Sequence, residues 1–139
     1  MYAFTRKAYL AGLVFVVVVG IASFASAKNR VAGEQLRGYL AGNTVYVDLV
    51  PGKPFGKGGV TPFFYGADGR FAADLPNGKV EGTWAVSKTS SYCVDVPAQS
   101  ITFCTDVIRT GAGIEHHSVG LKRLMGPVRQ IVPGNAAKL

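Results

Sequence analysis

The chain has 139 residues, with 15 Lys or Arg against 8 Asp or Glu, for a net charge of +7. That length has room for one domain. The positive charge is scattered and lacks the basic-aromatic stripe of a nucleic-acid surface, which excludes nucleic acid as the partner.

The first 27 residues read as a secretory signal. Arg6 and Lys7 provide a positive start, residues 10–24 are an apolar run, and Ala25-Ser26-Ala27 is a small-x-small cleavage pattern. The alternative is an uncleaved anchor, since the run approaches spanning length. With cleavage before Lys28, 112 residues remain, without a transmembrane segment; removing Arg6 and Lys7 leaves 13 basic and 8 acidic residues, a net charge of +5.

Residues 28–43 are expected to form a lead-in and one short helix, because Val31, Leu36, Tyr39 and Leu40 recur at roughly helical spacing. Gly42-Asn43 supplies the stop. From 44 to 135 the pattern changes to short strands. Residues 44–50 alternate Val45, Val47 and Leu49 with polar neighbours. The Gly- and Pro-rich stretch 51–59 is a loop. A short aromatic strand over 61–65 turns at Ala67-Asp68-Gly69 into a return strand over 70–74, and Asn77-Gly78 signals the next hairpin.

Residues 80–104 carry the clearest pattern. Val80, Gly82, Trp84 and Val86 share one parity, as do Tyr92, Val94 and Val96, and then Ile101 and Phe103. If Cys93 opposes Cys104, then Val94 meets Phe103, Asp95 meets Thr102, and Val96 meets Ile101, with the turn at Pro97-Ala98-Gln99-Ser100. A one-residue slip scrambles every pair, so the expectation is a β-hairpin tied by a Cys93–Cys104 disulfide on its polar face, formed in an oxidising compartment. A further strand is expected over 114–121, a break at Gly126-Pro127, and a last strand over 128–132. The fold class is therefore all-β: a small antiparallel up-and-down barrel or curled sheet with one short N-terminal helix. A β-sandwich is the alternative.

Several of these stretches together resemble a functionally uncharacterised family of small secreted proteobacterial, mostly alphaproteobacterial, β-meander proteins with a Gly-x-Trp motif and one disulfide. The resemblance lies in Leu36 to Thr44 (Leu-x-Gly-x-Leu-x-Gly-Asn-Thr), Phe63-Phe64-Tyr65 ahead of Asp68-Gly69, Gly82 to Trp84, and the cysteines flanking a turn. It implies an exported β-meander and brings no catalytic residues. The wider likeness is to calycin-like barrels, where Gly-x-Trp belongs to the first strand; here it is mid-chain, which separates this chain from true lipocalins.

The chemical motifs are sparse. Glu115-His116-His117 is the one obvious cluster; neighbours on a strand face opposite ways, so both histidines cannot readily grip one metal, and an exposed loop or strand edge is expected there. Ser87, Ser90, Ser91 and Ser118 lack a nucleophile-elbow context, and Gly56-Lys57-Gly58-Gly59 precedes no helix. The expectation is a protein that is not an enzyme and has no cofactor, metal or catalytic residue. Phe63 and Phe64 must face opposite sides of their strand, leaving an aromatic residue off the core. The chain therefore reads as a periplasmic or secreted binding module for a small apolar ligand or an envelope protein partner, lined by Tyr46, Phe55, Phe64, Tyr65 and Trp84. Two alternatives remain: a structural envelope component holding anionic polymer through Arg109, Lys122, Arg123 and Arg129, and a small inhibitor-type protein.

Overall fold

The computed structural model describes residues 29–139, and the expected leader over 1–27 lies outside them. Nine strands and one α-helix follow in the order β1 (Arg30–Val31), α1 (Gly33–Leu40), β2 (Asn43–Leu49), β3 (Gly59–Tyr65), β4 (Arg70–Leu75), β5 (Gly78–Val86), β6 (Tyr92–Val96), β7 (Ile101–Thr110), β8 (Gly113–Ser118) and β9 (Arg123–Pro133). Each strand from β2 to β9 pairs antiparallel with its neighbours in sequence, and β2 also pairs with β9, so eight strands close on themselves. The barrel forms and the two-sheet sandwich does not.

Alternation decides what fills it. Val45, Val47, Phe63, Tyr65, Phe71, Ala73, Val80, Trp84, Tyr92, Val94, Val96 and Val107 are all buried, and those that share a strand are two residues apart, or four where Gly82 stands between Val80 and Trp84. Eight strands enclose a space just wide enough for side chains to fill. The hairpin register is the one the sequence predicts: Cys93 opposes Cys104, Val94 opposes Phe103, Asp95 opposes Thr102 and Val96 opposes Ile101. The cysteines are bonded, and the Thr102 hydroxyl donates to Asp95 at 3.0 Å on the outer face.

Helix α1 closes one end. Leu36 and Leu40, one turn apart, are fully buried in the barrel core. The helix stops where Gly42 takes φ +75° and the Asn43 side-chain amide donates to the Tyr39 carbonyl at 3.0 Å. Ahead of it, β1 pairs with Val107 and Ile108, extending the edge of β7 past the point where β6 leaves it. Arg30 holds this patch in place through a 2.9 Å ion pair with Asp106, which also accepts a 2.6 Å hydrogen bond from Ser91.

The last two strands depart from expectation. β8 ends at Ser118, short of residue 121, and β9 runs from Arg123 straight through Gly126-Pro127, where a break was expected. The reason is a pair of register shifts, one between His116 and His117 on the β8 side and one between Tyr46 and Val47 on the β2 side. A proline missing its N–H is tolerated where a bulge already interrupts the ladder. Gly126 is needed there because a Cβ would meet the Asp48 carbonyl, and Gly82 repeats the situation against the Asp95 carbonyl. Both glycines let one strand press against the backbone of its neighbour at a corner of the barrel.

Two stability predictions follow from this construction. Gly82→Ala and Gly126→Ala each cost about 1–3 kcal/mol or more in urea unfolding, because the obstructing atoms are backbone, whereas Gly111→Ala, which meets nothing within 4 Å, stays within about 0.5 kcal/mol of the parent. Reducing the Cys93–Cys104 bond, which spans a sequence separation of 11, lowers the unfolding free energy by about 2–3 kcal/mol without loss of the barrel's circular dichroism.

Candidate functional site

The two ends of the barrel differ. Strand direction puts α1 and the 66–69, 87–91 and 111–112 turns at one end, and the 50–58, 76–77, 97–100 and 119–122 connections at the other. That second end holds a cavity of about 600 Å³. Its floor is made by Phe63, Phe71 and Val80 from β3, β4 and β5, and its walls by Val96, Phe103 and Met125. The rim comes from the connections: Pro54 and Phe55, Leu75 and Asn77, Gln99 and Ile101, and Val119 to Leu121. No charged side chain lines it. Three of its apolar rim residues reach solvent, Ile101 at 44%, Val119 at 43% and Leu121 at 52% exposure.

The rim is braced across the mouth. The Arg123 guanidinium donates to the Lys53 carbonyl, tying the start of β9 to the 50–58 loop. Val50 N–H donates to the Met125 carbonyl at 2.7 Å, adding a backbone tie beside it. Within the loop, Gly52 N–H donates to the Gly56 carbonyl at 2.8 Å and Phe55 N–H to the Gly52 carbonyl at 2.7 Å, a compact turn that aims Phe55 at the cavity. Aromatic rings continue from the mouth toward the other end: Phe103 packs edge-on to Phe71 at 6.2 Å, Phe71 meets Tyr65 at 5.5 Å, and Tyr65 meets Trp84 and Tyr92 at 5.6 and 5.2 Å.

Toward the closed end the filling becomes polar. The Tyr65 hydroxyl donates to the Tyr92 hydroxyl at 2.9 Å, which leaves the Tyr92 proton to the Nδ1 of His116, also 2.9 Å away. His116 is fully buried, so the strand-edge exposure expected for Glu115-His116-His117 is corrected for this residue. Opposed to Val107 on β7, it faces the barrel interior. His117 points outward with Glu115, whose carboxylate lies 2.8 Å from its Nε2. Burial, with a smaller contribution from His117, holds the His116 pKa down to about 3. Burial likewise pushes Tyr92 up to about 12 and keeps the Tyr65 and Tyr39 phenols well above their ordinary value. These groups are neutral partners of one another across the neutral pH range, with no member poised to exchange a proton near pH 7.

The expected lining residues divide three ways. Phe55 lines the cavity. Tyr65 and Trp84 are buried at the closed end of the interior, with the Trp84 indole donating to the Gly66 carbonyl at 2.8 Å. Tyr46 and Phe64 have the outward parity of β2 and β3 and sit half-buried on the outer surface. The structure instead gathers Phe63, Phe71, Phe103, Leu75, Ile101 and Leu121, none of which was among the expected lining residues, although Phe63 was read as one face of the Phe63-Phe64 pair and Phe103 as an apolar position of the hairpin. The four expected basic residues are not one patch. Arg109 is near the closed end, Arg129 forms two hydrogen bonds to Asp48 at 2.7 and 3.1 Å, and Lys122 and Arg123 are at the mouth. Among the described residues, no group of three or more His, Cys, Asp and Glu side chains is placed to hold a metal ion, and no helix is long and apolar enough to cross a membrane.

Compared with models of known protein families, with curated proteins and with solved structures, the chain matches none.

The buried histidine makes stability depend on pH. In the fold His116 stays neutral down to about pH 3, while an unfolded histidine takes a proton near pH 6.5. The unfolded state therefore binds the extra proton first. Stability is full above about pH 6.5 and falls as the pH drops below it, by about 2 kcal/mol between pH 7 and about 5. Urea unfolding at the two pH values measures this, and His116→Gln, which keeps an acceptor for Tyr92, removes most of the difference.

Proposed function

We propose that this chain is a non-enzymatic binding module that takes a small apolar ligand into the open mouth of its barrel. The observation that carries the reading is the cavity of about 600 Å³ with no charged side chain in its wall, within the range of small-molecule sites. The solvent-exposed apolar rim of Ile101, Val119 and Leu121 supports it, because grouped apolar surface on a small protein marks a binding region. The single disulfide and the leader pattern over 1–27 support a periplasmic or secreted location, as does the resemblance to small secreted proteobacterial β-meander proteins. The same rim favours a second reading, in which an envelope protein inserts an apolar side chain into the mouth.

Titration with N-phenyl-1-naphthylamine, a neutral apolar dye, tests the first reading. Saturable binding at one site per chain is expected. Ile101→Glu puts a carboxylate on the apolar rim, which the bound dye partly strips of water, and weakens binding about tenfold. Val60→Glu, at a position 58% exposed on the outer face, leaves it unchanged. Absence of saturable dye binding by the parent chain would sink the small-ligand reading and leave the protein partner.

A further inference from the structure

The charge around the mouth bears on what kind of apolar molecule fits it. The connections at this end, residues 50–58, 76–77, 97–100 and 119–122, contain Lys53, Lys57 and Lys122 and not one Asp or Glu. Each lysine is within two residues of a side chain that lines the cavity: Lys53 precedes Pro54, Lys57 follows Phe55 by two, and Lys122 follows Leu121. All three lysines are exposed. Arg123, the next residue, adds a fourth positive charge at the strap to the Lys53 carbonyl.

The nearest carboxylates do not cancel this. Asp48, Asp74 and Asp95 have the outward parity of β2, β4 and β6, opposite to Val47, Ala73 and Val94. Asp48 is held by Arg129 at 2.7 Å, Asp95 accepts from Thr102, and Asp74 opposes Lys79 across the β4–β5 ladder. The mouth therefore combines an uncharged apolar interior with a positive rim. A charged group inside would be unpaired in an apolar wall and is excluded on energetic grounds; a negative group at the opening meets three or four cations.

We propose that the occupant is a single-chain amphiphile with an anionic head group, its apolar tail in the cavity and its carboxylate or phosphate at the rim among Lys53, Lys57 and Lys122. This rests on the apolar-ligand reading above and adds the head group to it. The expected contribution of the rim is modest and salt-sensitive, as for any exposed ion pairing.

Calorimetric titration of the folded chain with dodecanoate, dodecyl phosphate and dodecanol, all below their micellar concentrations, separates tail from head. Either anion binding at least about tenfold tighter than the alcohol at about 20 mM salt supports the proposal. The advantage must shrink at about 500 mM salt, where the screening length falls to a few ångströms. It must also vanish in a K53Q/K57Q/K122Q variant that binds dodecanol as the parent does. A lead for the phosphate over the carboxylate points to a phospholipid-derived ligand, and the reverse to a free fatty acid. Equal binding of the alcohol and the anions overturns the head-group assignment while leaving the apolar mouth intact, as does an anion preference that survives the triple substitution. Failure of all three compounds to bind overturns both readings.

Discussion

Strand β2 is held on one side by β3 and on the other by β9, so that Val45 opposes both Phe63 and Ile131. This second pairing joins the first long strand to the last and converts a meander into a closed wall. Once the wall is closed, the inward parity of every strand is committed to one shared interior, and no strand can slip by a residue without turning its apolar set to solvent. The costs of closure are visible as two bulges on β9, where Arg129 is the extra residue opposite β2 and Met125 the extra residue opposite β8, and as two glycines whose backbones lie against neighbouring carbonyls. Curvature of this kind cannot be spread evenly around so small a ring.

The interior is filled unevenly, and that unevenness sets what each end can do. Toward the closed end, the Leu36 and Leu40 side chains, the Trp84 ring and the Tyr65–Tyr92–His116 chain occupy the available space. The two hydroxyls and the Nδ1 of that chain satisfy one another, while the buried His116 Nε2 has no hydrogen-bond partner among the described residues. Toward the open end the inward residues are Phe63, Phe71, Val80, Val96, Phe103 and Met125, and the connections arch over the gap without filling it. A binding volume is what remains when a plug covers one end of an eight-stranded wall and only loops edge the other.

Local pairing was legible in the sequence, and closure was not. The 92–104 hairpin declares its register because two cysteines, two apolar pairs and a turn all agree, and the structure reproduces each pair. The early strands were equally plain, since β2 and β5 alternate without interruption. The last strands were not, because the extra residue Met125, opposite the step from His116 to His117, breaks the period of two within β9, and Gly126-Pro127 looks like a terminator when its neighbours across the ring are unknown. His116 was placed at an exposed edge for the same reason: its burial depends on Tyr92, 24 residues earlier. The mouth was the least legible part of all. Only Phe55 among the five residues expected to line a site contributes to it, since Tyr65 and Trp84 complete the core and Tyr46 and Phe64 face outward. Membership of the mouth is decided by which strand ends share one rim, and that is a property of the closed ring.

The chain enters and leaves this fold on the same side. Asn29 accepts a hydrogen bond from Arg109 near the far end of β7, and past β9 the Gly134 N–H returns to the Gly42 carbonyl beside the helix. Ala136 is held there too, donating to the Thr44 hydroxyl. The mouth is at the opposite pole. Anything joined directly ahead of Asn29 or after Leu139, whether a surface, a carrier protein or a display scaffold, is therefore attached at the base of the cup, and the opening is presented away from it.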